Sequence, residues 1–299
     1  MTSELAQTAA NPGGDIVARV RGAVKKYPGV LALDDVDFDI RAGEVRALLG
    51  KNGAGKSTLI RLLTGADAPD VGEVVVMGHK LADPGQSRTI EAARHGVRAV
   101  YQELSQVPEM SVAENLFLGR WARNGAMLSF GEMERQTAGI LHRLGIDLNP
   151  ATPVGRLSPA ERQLAEIARI LLGEPRLVIL DEPTSSLAAA EVELLFKAVR
   201  ALAGGGVAVI YVSHRMEEIR QIASTATIMR DGRVADTVVV ADTSTRDIVR
   251  LMLGHDETQD ETIAGKPDLA DAPVVLRASG IAMAPKLDGI DLELRRGEV

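Results

Sequence analysis

Residues 45–65 read VRALLGKNGAGKSTLIRLLTG, and the fold turns on how they are read. Val45–Leu49 is an apolar run of buried-strand length, while Leu59, Ile60, Leu62 and Leu63 give a following helix its apolar face. Between them, Gly50-Lys51-Asn52-Gly53-Ala54-Gly55-Lys56-Ser57 fits the phosphate-loop spacing G-x-x-x-x-G-K-[ST]. Gly50, Gly53 and Gly55 permit a backbone path that a Cβ would forbid, so successive N–H groups can converge on an anion. The helix start at Ser57 and Thr58 adds unpaired amides and the positive end of the helix dipole. Lys56 is then expected to reach the β- and γ-phosphates of ATP, and the Ser57 hydroxyl to ligate Mg²⁺. A glycine-rich turn matching by chance would lack the strand before it and the helix after it. Both are present, so nucleotide binding is expected.

The bulk properties narrow the field further. At 299 residues the chain has room for one large domain or two modest ones. No apolar run approaches the roughly 18–20 residues that span a bilayer. The first residues, MTSELAQTAANPGGD, have neither a basic start nor an apolar stretch, so they read as a loose tail rather than a secretion signal. The absence of cysteine excludes disulfides and thiolate metal sites, which is compatible with a cytosolic setting. A net charge of −7 argues against a nucleic-acid partner, because such binders usually carry a basic face.

Upstream of the phosphate loop, Ile16–Lys25 and Leu33–Ile40 alternate as strands, with Arg41-Ala-Gly-Glu44 turning into Val45. Tyr27 falls between them, either as a half-buried loop aromatic or as a flat surface for adenine; the residues alone leave both readings open. Gly72–Met77 and Val97–Tyr101 are two further short strands. The second ends at Gln102, at the strand edge where ligands sit in a doubly wound sheet. From Glu103 to Arg156, MSVAENLFLGRW and GEMERQTAGILHRLGI carry helical periodicity and strand signals vanish, so a helical insertion is expected. Trp121 and the methionines of this stretch read as packing residues.

Leu157-Ser158-Pro159-Ala160-Glu161 begins another helix. Ser158 with Glu161 three residues on makes a capping box, and Pro159 takes the favoured first helical position. Leu177–Leu180 is a buried strand by pattern and ends in Asp181-Glu182. Beside a phosphate loop, those carboxylates suit a division of labour: Asp181 holds Mg²⁺ through water and Glu182 polarises the attacking water. Val207–Val212 repeats the buried-strand pattern and ends at Ser213-His214-Arg215, on the same sheet edge. Asp231-Gly232 marks a hairpin between Ala226–Met229 and Arg233–Val240. Ser244–Leu253 closes with a short helix ending at Gly254.

Residues 255–273 hold six acids, one lysine and two prolines, the composition of a flexible linker. Beyond it the chain repeats itself. Leu33, Asp34, Asp37, Arg41, Gly43, Glu44 and Val45 recur at one constant offset as Leu287, Asp288, Asp291, Arg295, Gly297, Glu298 and Val299. Val274–Ile281 echoes the first strand. The sequence stops where a second phosphate loop would begin, which predicts a longer tandem protein.

With these elements in order, the chain from Ile16 onward resembles the ATP-binding subunit of an ABC transporter. The resemblance implies an α/β fold: a P-loop NTPase core with an antiparallel β subdomain and an inserted α-helical subdomain. It implies a disordered tail at 1–14, an ATPase domain at 15–254 with its helical subdomain at about 103–165, an acidic linker at 255–273 and the first strands of a second ATPase domain at 274–299. It places Tyr27 at the adenine-stacking position, Gln102 at the glutamine that senses Mg²⁺ and the transmembrane partner, and Asp181 and Glu182 at the Walker B pair. Ser158, Ala160 and Glu161 fall in the signature motif, Ser185-Ser186-Leu187 in the D-loop, and His214 at the switch histidine.

YPGVLALDDV, MSVAENLFLGR and VSHRMEEI, with the second copy, are similar to the tandem ATPases of ribose-, galactose- and xylose-type importers. That implies transmembrane permease subunits, a second ATPase domain and, indirectly, an extracytoplasmic sugar-binding protein as partners, with the chain peripheral at the cytoplasmic face of the membrane. Two positions depart from the family pattern: Ala160 stands where the signature usually has glycine, and Ala188 where the D-loop usually has a polar residue. A soluble ABC ATPase acting on ribosomes or DNA fits less well, because the linker is short and acidic. A nucleotide-binding module with little turnover is the other alternative for a chain of this length.

Overall fold

The computed structural model describes residues 14–81, 87–100, 106–125, 127–254, 272–283 and 287–297. The chain divides into two units, residues 1–254 and 255–299. The first opens with β1 (Ile16–Tyr27), β2 (Val30–Arg41), β3 (Val45–Leu49), α1 (Lys56–Leu63), β4 (Val71–Val76), β5 (His79–Lys80), α2 (Ser87–Arg94) and β6 (Val97–Val100). A mainly helical stretch follows, with α3 (Val112–Leu116), β7 (Arg123–Asn124), β8 (Met127–Leu128), α4 (Phe130–Leu144) and α5 (Pro159–Leu171). The unit is completed by β9 (Leu177–Asp181), α6 (Ala189–Gly204), β10 (Ala208–Val212), α7 (Met216–Ile222), β11 (Thr225–Arg230), β12 (Arg233–Val239) and α8 (Thr245–Leu253).

Two sheets carry the site. One is antiparallel, in the order β2-β1-β4-β5; the other has six strands in the order β12-β11-β3-β10-β9-β6. In the second, β11, β3, β10, β9 and β6 run parallel and only β12 is antiparallel. All five residues of β3 and all five of β10 are buried, as expected of strands covered on both faces. On one face Leu59, Ile60, Leu62 and Leu63 of α1 pack with Val20 and Phe38 of the antiparallel sheet and with Ile179 and Ile210. On the other, Val178, Leu180 and Tyr211 pack with α5, α6 and the helical stretch, through residues such as Ile167, Phe196 and Leu116. The alternation along the central strands therefore divides one sheet between two cores.

Several local expectations need adjustment. β1 runs through Tyr27, which pairs with Val30 across a Pro28-Gly29 turn whose glycine has φ 79°. Proline first and glycine second is what such a tight turn demands, so the strand does not end before the aromatic. The helical stretch also contains the two-residue hairpin β7–β8. Strands that short show no alternation in sequence. Trp121 packs against the core and Met133 is buried, but Met127 is 76% exposed and is not a packing residue. The Ser158 cap forms as expected: its side chain accepts from the Glu161 amide at 3.2 Å, and its amide donates to Glu161 Oε2 at 2.8 Å.

In the second unit, β13 (Val274–Met283) and β14 (Leu287–Arg295) form an antiparallel hairpin. Its pairing reproduces that of β1 and β2. Ile16↔Arg41, Ala18↔Ile40, Val20↔Phe38 and Ala23↔Val36 recur as Val274↔Arg295, Leu276↔Leu294, Ala278↔Leu292 and Ile281↔Ile290, with register breaks at the same places. Even a local bond is copied: the Gly22 amide donates to Asp37 Oδ1 at 2.8 Å, and the Gly280 amide to Asp291 Oδ1 at 2.6 Å. The repeat seen in sequence is thus a repeat of geometry.

Candidate nucleotide site

The parallel strands bring three loops to one edge. β3 delivers Gly50–Lys56, β9 delivers Asp181 and Glu182, and β10 delivers Ser213 and His214. The register pairs Val212 with Asp181, and the Glu182 amide donates to Val212 O at 3.0 Å, extending the ladder one step past the strand. Crevices at the carboxyl ends of parallel strands are where such sheets bind ligands.

The loop conformation rests on its glycines. Gly55 caps α1 in the left-handed region at φ 100°, and a Cβ there would lie 2.7 Å from Ala32 O. Gly53 also has a positive φ, 81°, yet a Cβ there would meet nothing within 4 Å. Gly55→Ala is therefore expected to lower the melting temperature more than Gly53→Ala. The first adds a backbone collision to a strain of about 1–3 kcal/mol; the second carries the strain alone. Equal losses in a thermal melt would contradict the close approach as the reason for Gly55.

Lys56 Nζ donates to Gly50 O at 2.7 Å and Lys51 O at 3.0 Å, which curls the loop around its own lysine. Burial pulls the Lys56 pKa below the usual lysine value, against the opposing pull of Asp181 and Glu182. Burial likewise raises the Asp181 pKa, reinforced by Glu182 and opposed by Lys56. One cation and two carboxylates thus share a partly desolvated space.

Glu182 has φ 47°, an unusual conformation for a residue with a side chain. Strain of this kind, about 1–2 kcal/mol, tends to be kept where a side chain must be aimed. Here it presents Glu182 Oε1 to His214 Nδ1 at 3.3 Å. The His214 side chain is 74% exposed and Glu182 33%, so the contact is open to solvent.

A cavity of about 440 Å³ joins these parts. Asn52, Gly53, Gly55, Lys56, Ser57 and Thr58 line it, with Asp181 and Glu182, and so do Tyr27, Val30, Ala32 and Val212. Gly50, Lys51 and Ala54 belong to the loop without lining this cavity, Ala54 being buried. Glu182 also borders a neighbouring cavity of about 320 Å³ that contains His214, Ser185 and Leu187. Ser158, Ala160 and Glu161 stand apart at the start of α5 and line neither cavity. Gln102 lies outside the described residues.

Tyr27 is fixed in place: its hydroxyl donates to Asp67 Oδ2 at 2.7 Å, and Lys25 Nζ lies 5.4 Å from the ring centroid. Lys25 also pairs with Asp67 at 2.7 Å. Sequence reasoning missed this brace, because Asp67 is forty positions away and no short-range pattern links the two. It also missed Val30 and Ala32, which the hairpin carries to the cavity wall.

Among the described residues no group of three or more histidine, cysteine, aspartate or glutamate side chains could hold a metal, and no helix is long and apolar enough to cross a membrane. The Ser57 hydroxyl and the Asp181 carboxylate supply hard oxygen donors to the same cavity, the donor type Mg²⁺ takes when phosphates and waters complete its shell.

A family model described as ABC transporter matches residues 33–185, just over half of the chain. This chain belongs to the ABC transporter family. The matched span runs from Leu33 in β2 through the phosphate loop to Ser185, so it covers two of the three loops at the sheet edge, those after β3 and β9. The chain is 54% identical over 283 residues to the uncharacterised ABC transporter ATP-binding protein YphE of Escherichia coli strain K12, covering 95% of this chain and 56% of that protein. It is 42% identical to the putative ribose/galactose/methyl galactoside import ATP-binding protein 2 of Burkholderia cenocepacia, covering 93% and 54%. The chain thus spans about half the length of the curated relatives it matches. The ADP conformation of MJ1267, an ATP-binding cassette of an ABC transporter, superposes with a TM-score of 0.68 at 24% identity over 81% of this chain and all of that one, which establishes the fold. The α/β P-loop architecture with an antiparallel β subdomain and added helices agrees with the expected class.

Proposed function

We propose that this chain is an ATP-hydrolysing module that powers import of a sugar through an ABC permease. The observation that carries the reading is the single cavity lined by the phosphate loop, Asp181, Glu182 and Tyr27. The names of the relatives that pair ATP binding with ribose and galactose import support the sugar.

In this reading Tyr27 stacks on adenine, and the amides of residues 50–58 with Lys56 grip the β- and γ-phosphates. Ser57 and Asp181, with Gln102, would hold Mg²⁺, which supplies charge neutralisation on the phosphate oxygens when bound. Glu182 orients a water and accepts its proton as the water oxygen bonds to the γ-phosphorus and the bond to the ADP oxygen breaks. His214, in contact with Glu182, would sit against the γ-phosphate. Ser158, Ala160 and Glu161 would face a nucleotide held by another ATPase domain, in a head-to-tail pair. That arrangement accounts for their distance from this chain's own cavity. Residues 274–299, with the pairing register of β1 and β2, would open the second ATPase domain after the linker at 255–273. The permease would receive the motion near Gln102 and the helical stretch at the cytoplasmic face of the membrane.

Half a composite site must find another half to turn over. Specific ATPase activity of the 299-residue chain is therefore expected to rise with protein concentration as two copies pair. Activity that stays flat near zero over that range would overturn the hydrolytic reading for this chain and leave a nucleotide-binding module.

A further inference from the structure

Glu218, in the first turn of α7, is 6% exposed and plays no part in the chemistry above. Its carboxylate is the centre of a network. Thr184 Oγ1 donates to it, 2.9 Å from Oε1 and 3.0 Å from Oε2. Tyr211 OH and Ser213 Oγ each donate to Oε2 at 2.9 Å, and Arg215 Nη1 donates to Oε1 at 3.0 Å. The Arg215 amide in turn donates to Ser213 Oγ at 3.0 Å. Burial, then the Glu218 carboxylate, raises the Tyr211 pKa, which keeps its hydroxyl a donor.

Taking a carboxylate out of water is costly, and a well-packed apolar side chain in its place is often neutral or better for stability. What an apolar residue could not do is tie these particular segments together. Thr184 lies two residues after Glu182, while Ser213 and Arg215 flank His214 on either side. The His214 side chain is 74% exposed, so its own packing does little to fix where it meets Glu182. The two backbone turns beneath it do, and Glu218 bolts one to the other.

We infer that Glu218 is a positioning residue for hydrolysis: its buried carboxylate joins the turn after Glu182 to the turn around His214 and so sets where the two side chains meet. The inference rests on the ATPase reading above, and its test separates the two. In the full chain, Glu218→Gln keeps the size but halves the acceptor capacity. It is expected to leave MgATP affinity within about twofold and to lower kcat about 10- to 100-fold, the scale of a small misplacement. In a His214→Ala background the same change should cost no further activity, because the group being positioned is already gone. Loss of equal size in both backgrounds, or unchanged kcat, overturns the inference. Thr184→Val removes the clamp from the other side and should reproduce the loss of kcat without loss of affinity if Glu218→Gln fails to fold. A nitrogen–proton correlation spectrum of the His214 imidazole reads the clamp without turnover. A shifted signal in Glu218→Gln supports it, and an unshifted one overturns it. Failure of the unaltered chain to bind MgATP would instead sink the ATPase reading, with the imidazole result still able to decide the clamp.

Discussion

Glu182→Gln is expected to keep MgATP affinity within about twofold of the unaltered chain while hydrolysis falls about 10²- to 10⁴-fold, the usual worth of a positioned general base. The amide matches the carboxylate in size, can still accept one hydrogen bond, and lies at the end of a strand whose register with β10 is fixed by backbone bonds. Its φ of 47° belongs to the backbone and survives the change. What disappears is the basicity directed at the attacking water, together with one of two negative charges facing Lys56. Losing that charge leaves the cavity more welcoming to a polyanion, so affinity has no reason to drop. Phosphate release measured at saturating ATP, alongside a binding titration, checks both halves. Unchanged turnover would remove Glu182 from the role of base.

The second large effect falls on binding. Lys56→Ala is expected to weaken MgATP binding roughly 10- to 150-fold, corresponding to a charge-assisted hydrogen bond of about 1.5–3 kcal/mol. Among the described residues, Lys56 Nζ donates to the Gly50 and Lys51 carbonyls, bonds local to the loop, so its removal is expected to leave the core packing and the melting temperature nearly unchanged. Burial disfavours its charge, and the nearby Asp181 and Glu182 only partly offset that; the terminal phosphates would supply the missing counter-charge. Isothermal titration with ATP, paired with a thermal melt, distinguishes a lost phosphate contact from a lost fold.

Much of this site is legible in the sequence. Glycine spacing, a lysine and a hydroxyl between an apolar run and an amphipathic helix define a phosphate loop because few other structures need that combination. Asp181-Glu182 and His214 could be placed at one edge because Leu177–Leu180 and Val207–Val212 are too uniformly apolar to be anything but central strands. Contacts made by distant side chains escaped. Nothing local ties Tyr27 to Asp67, or Thr184 to Glu218. The one available clue to Glu218 was its place four residues before the buried Ile222, a charged group on the apolar face of a short helix. The two-residue strands β7 and β8 left no periodic trace at all.

The account stands on the phosphate loop, and one experiment reaches it directly: calorimetric titration of the 299-residue chain and of Lys56→Ala with ATP, with and without Mg²⁺. The expected result is ATP affinity that strengthens with Mg²⁺ in the unaltered chain and falls roughly 10- to 150-fold in Lys56→Ala. No magnesium-dependent affinity, or equal affinity in the two proteins, would contradict it.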